Sequence, residues 1–111
     1  MIVEVPVFLV MTMARVEWLE GVRSKKEEQT LKLSNIKLDI VKNGIKTPLP
    51  IVFAQDRFTL TDGHHRLVSA CDIGLLKVPA QIELRDKNPF NHGIHVIDLL
   101  KLCAEHCTSQ T

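Results

Sequence analysis

The chain has no tyrosine, and aromatic residues make up only 5% of its 111 positions. So few flat side chains argue against a broad stacking surface for single-stranded nucleic acid. Cysteine is scarce and odd in number: Cys71, Cys103 and Cys107. With no secretory signal, that count points to reduced thiols and a cytoplasmic setting, not a disulfide framework. The N-terminal run MIVEVPVFLVMTMA is apolar but has no basic flank, and Glu4 and Pro6 interrupt it. It reads as a buried strand and not as a leader. No uncharged apolar run approaches the roughly 18 residues of a membrane span. Neither sign of charge is in excess: the formal net charge is +1, so no global field draws the chain to nucleic acid or to an anionic membrane. There is no Gly/Ser linker, internal repeat or low-complexity tract. What remains is a single domain, residues 1–111, with 45% hydrophobic and 24% charged residues. That length can bury a core without metal or disulfides.

Hydrophobic patterning divides the chain into alternating elements. Ile2–Val10 is rich in β-branched residues and predicts a strand, with Pro6 placing it at a sheet edge. Arg15–Leu19 fits a short strand or one helical turn. Arg23–Lys32 is dense in mixed charge and reads as a solvated loop or helix start. Leu33, Ile36, Ile40 and Val41 have the spacing of one helix face. Gly44 stands where a C-terminal cap belongs, and Pro48 and Pro50 forbid continuation. Leu49–Ala54 and Phe58–Thr61 predict two strands around Gln55-Asp56-Arg57. A second helical pattern, with Leu67, Ala70, Cys71 and Ile73, ends at Gly74. Val78–Leu84 predicts a strand, 87–91 a polar loop, and Ile94–Cys107 an amphipathic helix with Val96, Leu99, Leu100, Cys103 and Cys107 inward. A hairpin feeding a helix makes the fold class α+β, with a small mixed sheet and flanking helices.

The chemistry concentrates in Asp62-Gly63-His64-His65-Arg66, between a strand and a helix. The first N–H groups of a helix lack internal partners, and the helix dipole is positive there. A glycine at that junction lets an anion approach the backbone. Arg66, one turn in, can fork onto phosphate oxygens. His64 and His65 add donors that change charge near neutral pH. Together these residues predict a phosphate site at a helix N-terminus. The plainer reading is an Asp62 N-cap followed by exposed histidines and a surface arginine.

The stretch Ile36–Ile82 resembles the ParB/sulfiredoxin superfamily. The resemblance is carried by Asn43-Gly44-Ile45, Pro48-Leu49-Pro50-Ile51-Val52, Thr61-Asp62-Gly63-His64-His65-Arg66-Leu67-Val68-Ser69-Ala70, Ile73-Gly74-Leu75 and Val78-Pro79-Ala80, in that order. It implies a compact ParB/sulfiredoxin-like domain. From the ParB branch it implies that Gly63 and Arg66 clamp a nucleoside triphosphate, with His64 and His65 contributing and with Gly44, Ile45, Thr47 and Pro48 beside the nucleotide. It further implies an acidic or arginine side chain from the early loop opposite the turn, for which Glu20, Arg23, Glu27 and Glu28 are the candidates. In the sulfiredoxin branch the matching turn reads Gly-Cys-His-Arg. Here His64 stands in the place of the reactive cysteine, so sulfinic acid repair is not expected. Cys71 lies two helical turns away. Full partition proteins carry DNA-binding and dimerisation domains after this module, and residues 85–111 are too few for either.

These residues predict nucleotide binding, with phosphate hydrolysis or transfer as the natural chemistry. Arg66 and the helix N-terminus would stabilise phosphate charge. Asp62, His64, His65 and Glu20 are the catalytic candidates. Mg²⁺ is the expected cofactor because it bridges phosphates with few protein ligands. Two alternatives stand beside this. One is a DNA-binding or nuclease-like accessory protein of a plasmid or phage, in which Arg66 meets a nucleic-acid backbone. The other is a catalytically silent interaction domain. Elsewhere the plain readings are preferred. His92, His95, Cys103, His106 and Cys107 are zinc-capable types, but Cys103 and Cys107 fit the core stripe. Trp18 reads as a core anchor, Lys25-Lys26-Glu27-Glu28 as a solvated run, and Pro79 as a strand start or edge.

Overall fold

The computed structural model describes residues 1–22 and 27–109; side chains are described except at 27–30 and 107–109. The elements run β1 (Ile2–Pro6), α1 (Val7–Met13), α2 (Val16–Val22), α3 (Glu27–Asn43), β2 (Leu49–Ala54), β3 (Arg57–Leu60), α4 (His64–Asp72), β4 (Lys77–Leu84), β5 (Ile94–His95) and α5 (Val96–Ser109). The five strands form one mixed sheet in the order β1-β4-β2-β3-β5. Only β2 and β4 are parallel, with Leu49 opposite Ala80 and Ile51 opposite Ile82. The other pairs are antiparallel. The fold is therefore α+β, as the element pattern predicts.

Residue alternation puts Leu49, Ile51, Leu60, Val78 and Ala80 on one sheet face, where all are 0% exposed. Leu9, Val10 and Met13 of α1 and Leu67 and Ala70 of α4 pack into the same core, with Leu99, Leu102 and Cys103 of α5 at its margin. A parallel pair needs a long crossover. Here it consists of β3 and α4, which carries the start of α4 to the end of the sheet beside the entrance to β2. The β2–β3 loop has two residues, Gln55 and Asp56, both left-handed (φ 53° and 62°), the type I′ geometry that matches strand twist. On the opposite face the segment 85–93 forms a strap. Asn88 Nδ2 donates to Thr59 Oγ1 at 3.0 Å, and Thr59 Oγ1 donates to the His92 carbonyl at 2.9 Å.

Several expectations need correction. The strand predicted over Ile2–Val10 ends at Pro6, and Val7–Met13 is helical. The β-branched run misled because helical spacing buries Val7, Val10, Leu9 and Met13 at once, which a strand here would not. Pro6 does lie on an edge strand. The turn carries only Gln55 and Asp56, and Arg57 opens β3. Ile94 is in β5 instead of opening the last helix. Arg15–Leu19 resolves as helix from Val16. Val41 and Leu100 are 69% and 63% exposed and leave the inner faces of α3 and α5. Trp18 is 42% exposed and is no core anchor. Pro79 lies within β4, an interior strand, but β4 meets β2 only from Ala80 onward. Its missing N–H thus falls where the strand has a single neighbour. Gly44 caps α3 with φ 72°, its N–H bonding the Ile40 carbonyl at 2.8 Å. The run Lys25-Lys26 lies outside the described residues.

Leu67 anchors α4 on the sheet with no solvent exposure. Leu67→Ala is expected to lower unfolding free energy by about 2–5 kcal/mol. Urea denaturation reads this, and an unchanged midpoint would contradict the packing described.

Candidate functional site

The turn between β3 and α4 is built on the absence of a side chain. Gly63 has φ +84°, a left-handed conformation that costs other residues about 1–2 kcal/mol. A Cβ there would lie 2.5 Å from Leu49 Cδ2 and 3.0 Å from Arg66 Nη2. Leu49 is fully buried and has little room to move. Gly63 is also the N-cap of α4, and no side chain caps that terminus. The Asp62 N-cap of the plainer reading is therefore not formed. Asp62 is exposed and precedes the cap by one residue.

This turn forms one side of a cavity of about 610 Å³. Asp62, Gly63, His65 and Arg66 contribute from α4 and its approach. Gly44, Ile45, Lys46 and Thr47 come from the loop after α3, and Asn35, Ile36, Asp39 and Ile40 from α3 itself. Arg66 joins the two loops: its Nη1 donates to the Thr47 carbonyl at 2.5 Å. A guanidinium has five N–H donors, so this bond orients it without exhausting it. Burial holds the His65 imidazole below its ordinary pKa, and the Lys32 cation adds to the effect while Asp62 opposes it. At neutral pH His65 is thus a neutral donor–acceptor within the cavity.

Of the residues singled out from sequence, the fold gathers Gly44, Thr47, Asp62, Gly63, His65 and Arg66 around one cavity. Pro48 is half-buried at the entrance to β2 and does not line it. Glu20 is exposed on α2 and does not line it either. Arg23 lies outside the described residues, and so do the side chains of Glu27 and Glu28. His64 is turned away from the cavity. Its ring is 6% exposed, Nε2 accepts the Arg15 backbone N–H at 3.3 Å, and Trp18 meets it edge-on at 4.9 Å. On the far side Trp18 also faces His92, whose Nε2 is 3.0 Å from the Leu60 carbonyl. His64 is therefore a packing residue that fastens the start of α4 to the α1–α2 corner. Sequence reasoning missed Asn35, Asp39 and Lys46. Lys46 was bracketed by Gly44 and Thr47, but the α3 pair shows only once the helix is placed against the turn. Among the described residues no cysteine lines the cavity, and the side chain of Cys107 lies outside them.

Burial pushes the His64 pKa below its ordinary value of 6.5, with His92 and His65 adding to the shift and Asp62 opposing it. The unfolded chain then binds more protons than the folded one. Stability is full at higher pH and falls as pH drops from 6.5 toward the lowered folded value. Thermal unfolding between about pH 7.5 and about pH 5.5 should show a decline that His64→Gln reduces; equal slopes in both proteins would refute it. Gly63→Ala is expected to cost about 2–4 kcal/mol, from left-handed strain and the collision with Leu49. A chemical-denaturation midpoint matching wild type would contradict that geometry.

No protein-family model and no curated protein matches this sequence. Solved structures do. The chain is similar to sulfiredoxin from Arabidopsis thaliana, with 22% identity and a TM-score of 0.55, over 78% of this chain and 86% of that one. It is similar to the Pnob8-like ParB-N domain, with 16% identity and a TM-score of 0.56, over 78% of this chain and 30% of that one. A third is the C-terminally truncated chromosome-partitioning protein ParB from Caulobacter crescentus, complexed with CTP-γ-S. It shows 19% identity and a TM-score of 0.55, over 92% of this chain and 49% of that one. The chain thus spans half or less of the two ParB chains. The topology that carries the Gly63 turn, a mixed sheet with α4 in the crossover between its parallel strands, is the ParB/sulfiredoxin-like fold.

Proposed function

We propose that this domain binds a nucleoside triphosphate in the cavity over Gly63, with the phosphates on the N-terminus of α4. The observation that carries the reading is convergence: an uncapped helix N-terminus, Arg66, Lys46 and His65 border one cavity of about 610 Å³. Such a volume suits a small molecule of nucleotide size. Helix N-termini and arginine forks both favour phosphate. The cavity's apolar members, Ile36, Ile40 and Ile45, offer a surface for the sugar and base. A ParB structure of the same fold holds CTP-γ-S, which supports the reading.

If the bound nucleotide is turned over, Asp62 and His65 are the acceptors placed to take a proton from an attacking hydroxyl or water. His64 and Glu20 do not line the cavity and are not assigned to that step. Among the described residues no group of three or more His, Cys, Asp or Glu side chains is gathered to hold a metal. Mg²⁺, if it accompanies the nucleotide, would neutralise phosphate charge beside Arg66, with Asp62 the carboxylate of the turn that could help to hold it.

Calorimetry with ATP, CTP, GTP and UTP, with and without Mg²⁺, tests the site. At least one nucleotide should bind wild type, and Arg66→Ala should weaken it by about 10–100-fold through loss of charged hydrogen bonds. No binding of any nucleotide, together with DNA affinity that collapses as salt rises, would overturn the reading in favour of backbone contact to nucleic acid.

A further inference from the structure

The cavity takes Asp62, His65 and Arg66 from the α4 turn, Lys46 from the loop after α3, and Asn35, Ile36, Asp39 and Ile40 from α3 itself. Asp39 is held in place: Asn43, one turn later on α3, donates from Nδ2 to Asp39 Oδ1 at 2.9 Å. An ionised carboxylate accepts hydrogen bonds and donates none, and it has about four acceptor positions. One contact from Asn43 therefore leaves acceptor capacity for a ligand. Like charge makes the immediate neighbourhood of Asp39 a poor place for phosphate. The ligand part that meets this carboxylate is an uncharged N–H or O–H donor.

Taking the cavity as the nucleotide site proposed above, we infer that Asp39 selects the nucleoside by accepting a hydrogen bond from a donor on it. Two parts of a nucleoside carry such donors: an exocyclic amine of the base and the sugar hydroxyls. Spacing on α3 suits either, because Ile36 and Ile40, four residues apart, form one apolar stripe and Asp39, three residues after Ile36, borders it. The same carboxylate sets orientation. A triphosphate reversed in the cavity would place its charge against Asp39, so phosphate binds at Arg66 and nucleoside at α3. Asp39 is a specificity residue in this arrangement, and Asn43 is the residue that positions it.

Paired nucleotides separate the two donors. CTP against UTP and ATP against ITP exchange an amine for a carbonyl. Each ribonucleotide against its 2′-deoxy form removes a hydroxyl. Calorimetry on the full chain should show wild type preferring one member of at least one pair by about tenfold or more, the value of a hydrogen bond to a charged acceptor. Asp39→Asn should bring that ratio to within about twofold, because an amide offers a donor as well as an acceptor. Inorganic triphosphate should bind Asp39→Asn at least as tightly as wild type. Asn43→Ala should reduce the ratio in the same sense but less. Loss of the amine pair's ratio assigns the base, and loss of the deoxy pair's ratio assigns the sugar. A ratio that survives Asp39→Asn, or wild type that discriminates within no pair, overturns the role of Asp39 while leaving Arg66-dependent binding intact. Nucleotide affinity that is absent, or unaffected by Arg66→Ala, overturns the site itself.

Discussion

A space too small for a methyl group governs this molecule. Gly63 is pressed between the buried side chain of Leu49 and the guanidinium of Arg66, in a left-handed conformation. The close fit lets α4 begin directly against the parallel strands, with Leu67 and Ala70 reaching the same core as Leu49 and Ala80. It also leaves backbone, not side chain, at the mouth of the helix. Packing and the proposed anion binding thus make the same demand on one residue. A side chain at 63 would push α4 off the sheet and fill the approach to its N–H groups together.

The two histidines after Gly63 show how a helix divides neighbouring residues between tasks. Successive helical side chains point about 100° apart. His64 consequently turns into the body of the protein, against the Arg15 backbone, Trp18 and His92. His65 turns to the cavity. His64 stands where a sulfiredoxin-type turn would have its reactive cysteine, yet its ring serves as a hydrogen-bond acceptor for the chain entering α2. Trp18 is partly exposed for the same reason: it covers a histidine at the helix start instead of filling the core. Strap 85–93 closes this side by bonding Thr59 and the Leu60 carbonyl through Asn88 and His92.

The opposite side depends on α3. Its C-terminus is stopped by Gly44, so the chain turns at once into Lys46 and Thr47, and Thr47 receives the Arg66 guanidinium. Lys37 and Asp72 join α3 to the end of α4 at 3.0 Å. The pair is partly exposed and adds little by itself, but it marks how closely the two helices run. Between them the cavity takes Asp62, His65 and Arg66 from the turn and Asp39 from α3. That combination joins two segments separated by the β-hairpin Leu49–Leu60, and it underlies both the phosphate reading and the assignment of Asp39.

Local chemistry determined much of this from sequence alone. Gly44 as a cap, the strand Leu49–Ala54, the helix opening at the Gly63 turn and the stop at Gly74 were legible because each follows from backbone freedom or short-range periodicity. Gly63, His65 and Arg66 were legible together from the chemistry of a helix N-terminus, whereas Gly44 and Thr47 were joined to them only by the resemblance to the ParB/sulfiredoxin superfamily. Other features depended on partners distant in the chain. Val7–Met13 is a helix because its apolar side chains fill a core supplied by β2, β4 and α4. His64 and His65 are indistinguishable in sequence, and only the placement of Arg15 and Trp18 separates a packing ring from a cavity ring. Asp39 looks like any polar residue on a charged helix until α3 lies opposite α4. Sequence determined where the backbone turns and which residues can bind an anion; tertiary structure decided which of them face one another, because burial and charge act across space between segments that periodicity cannot relate.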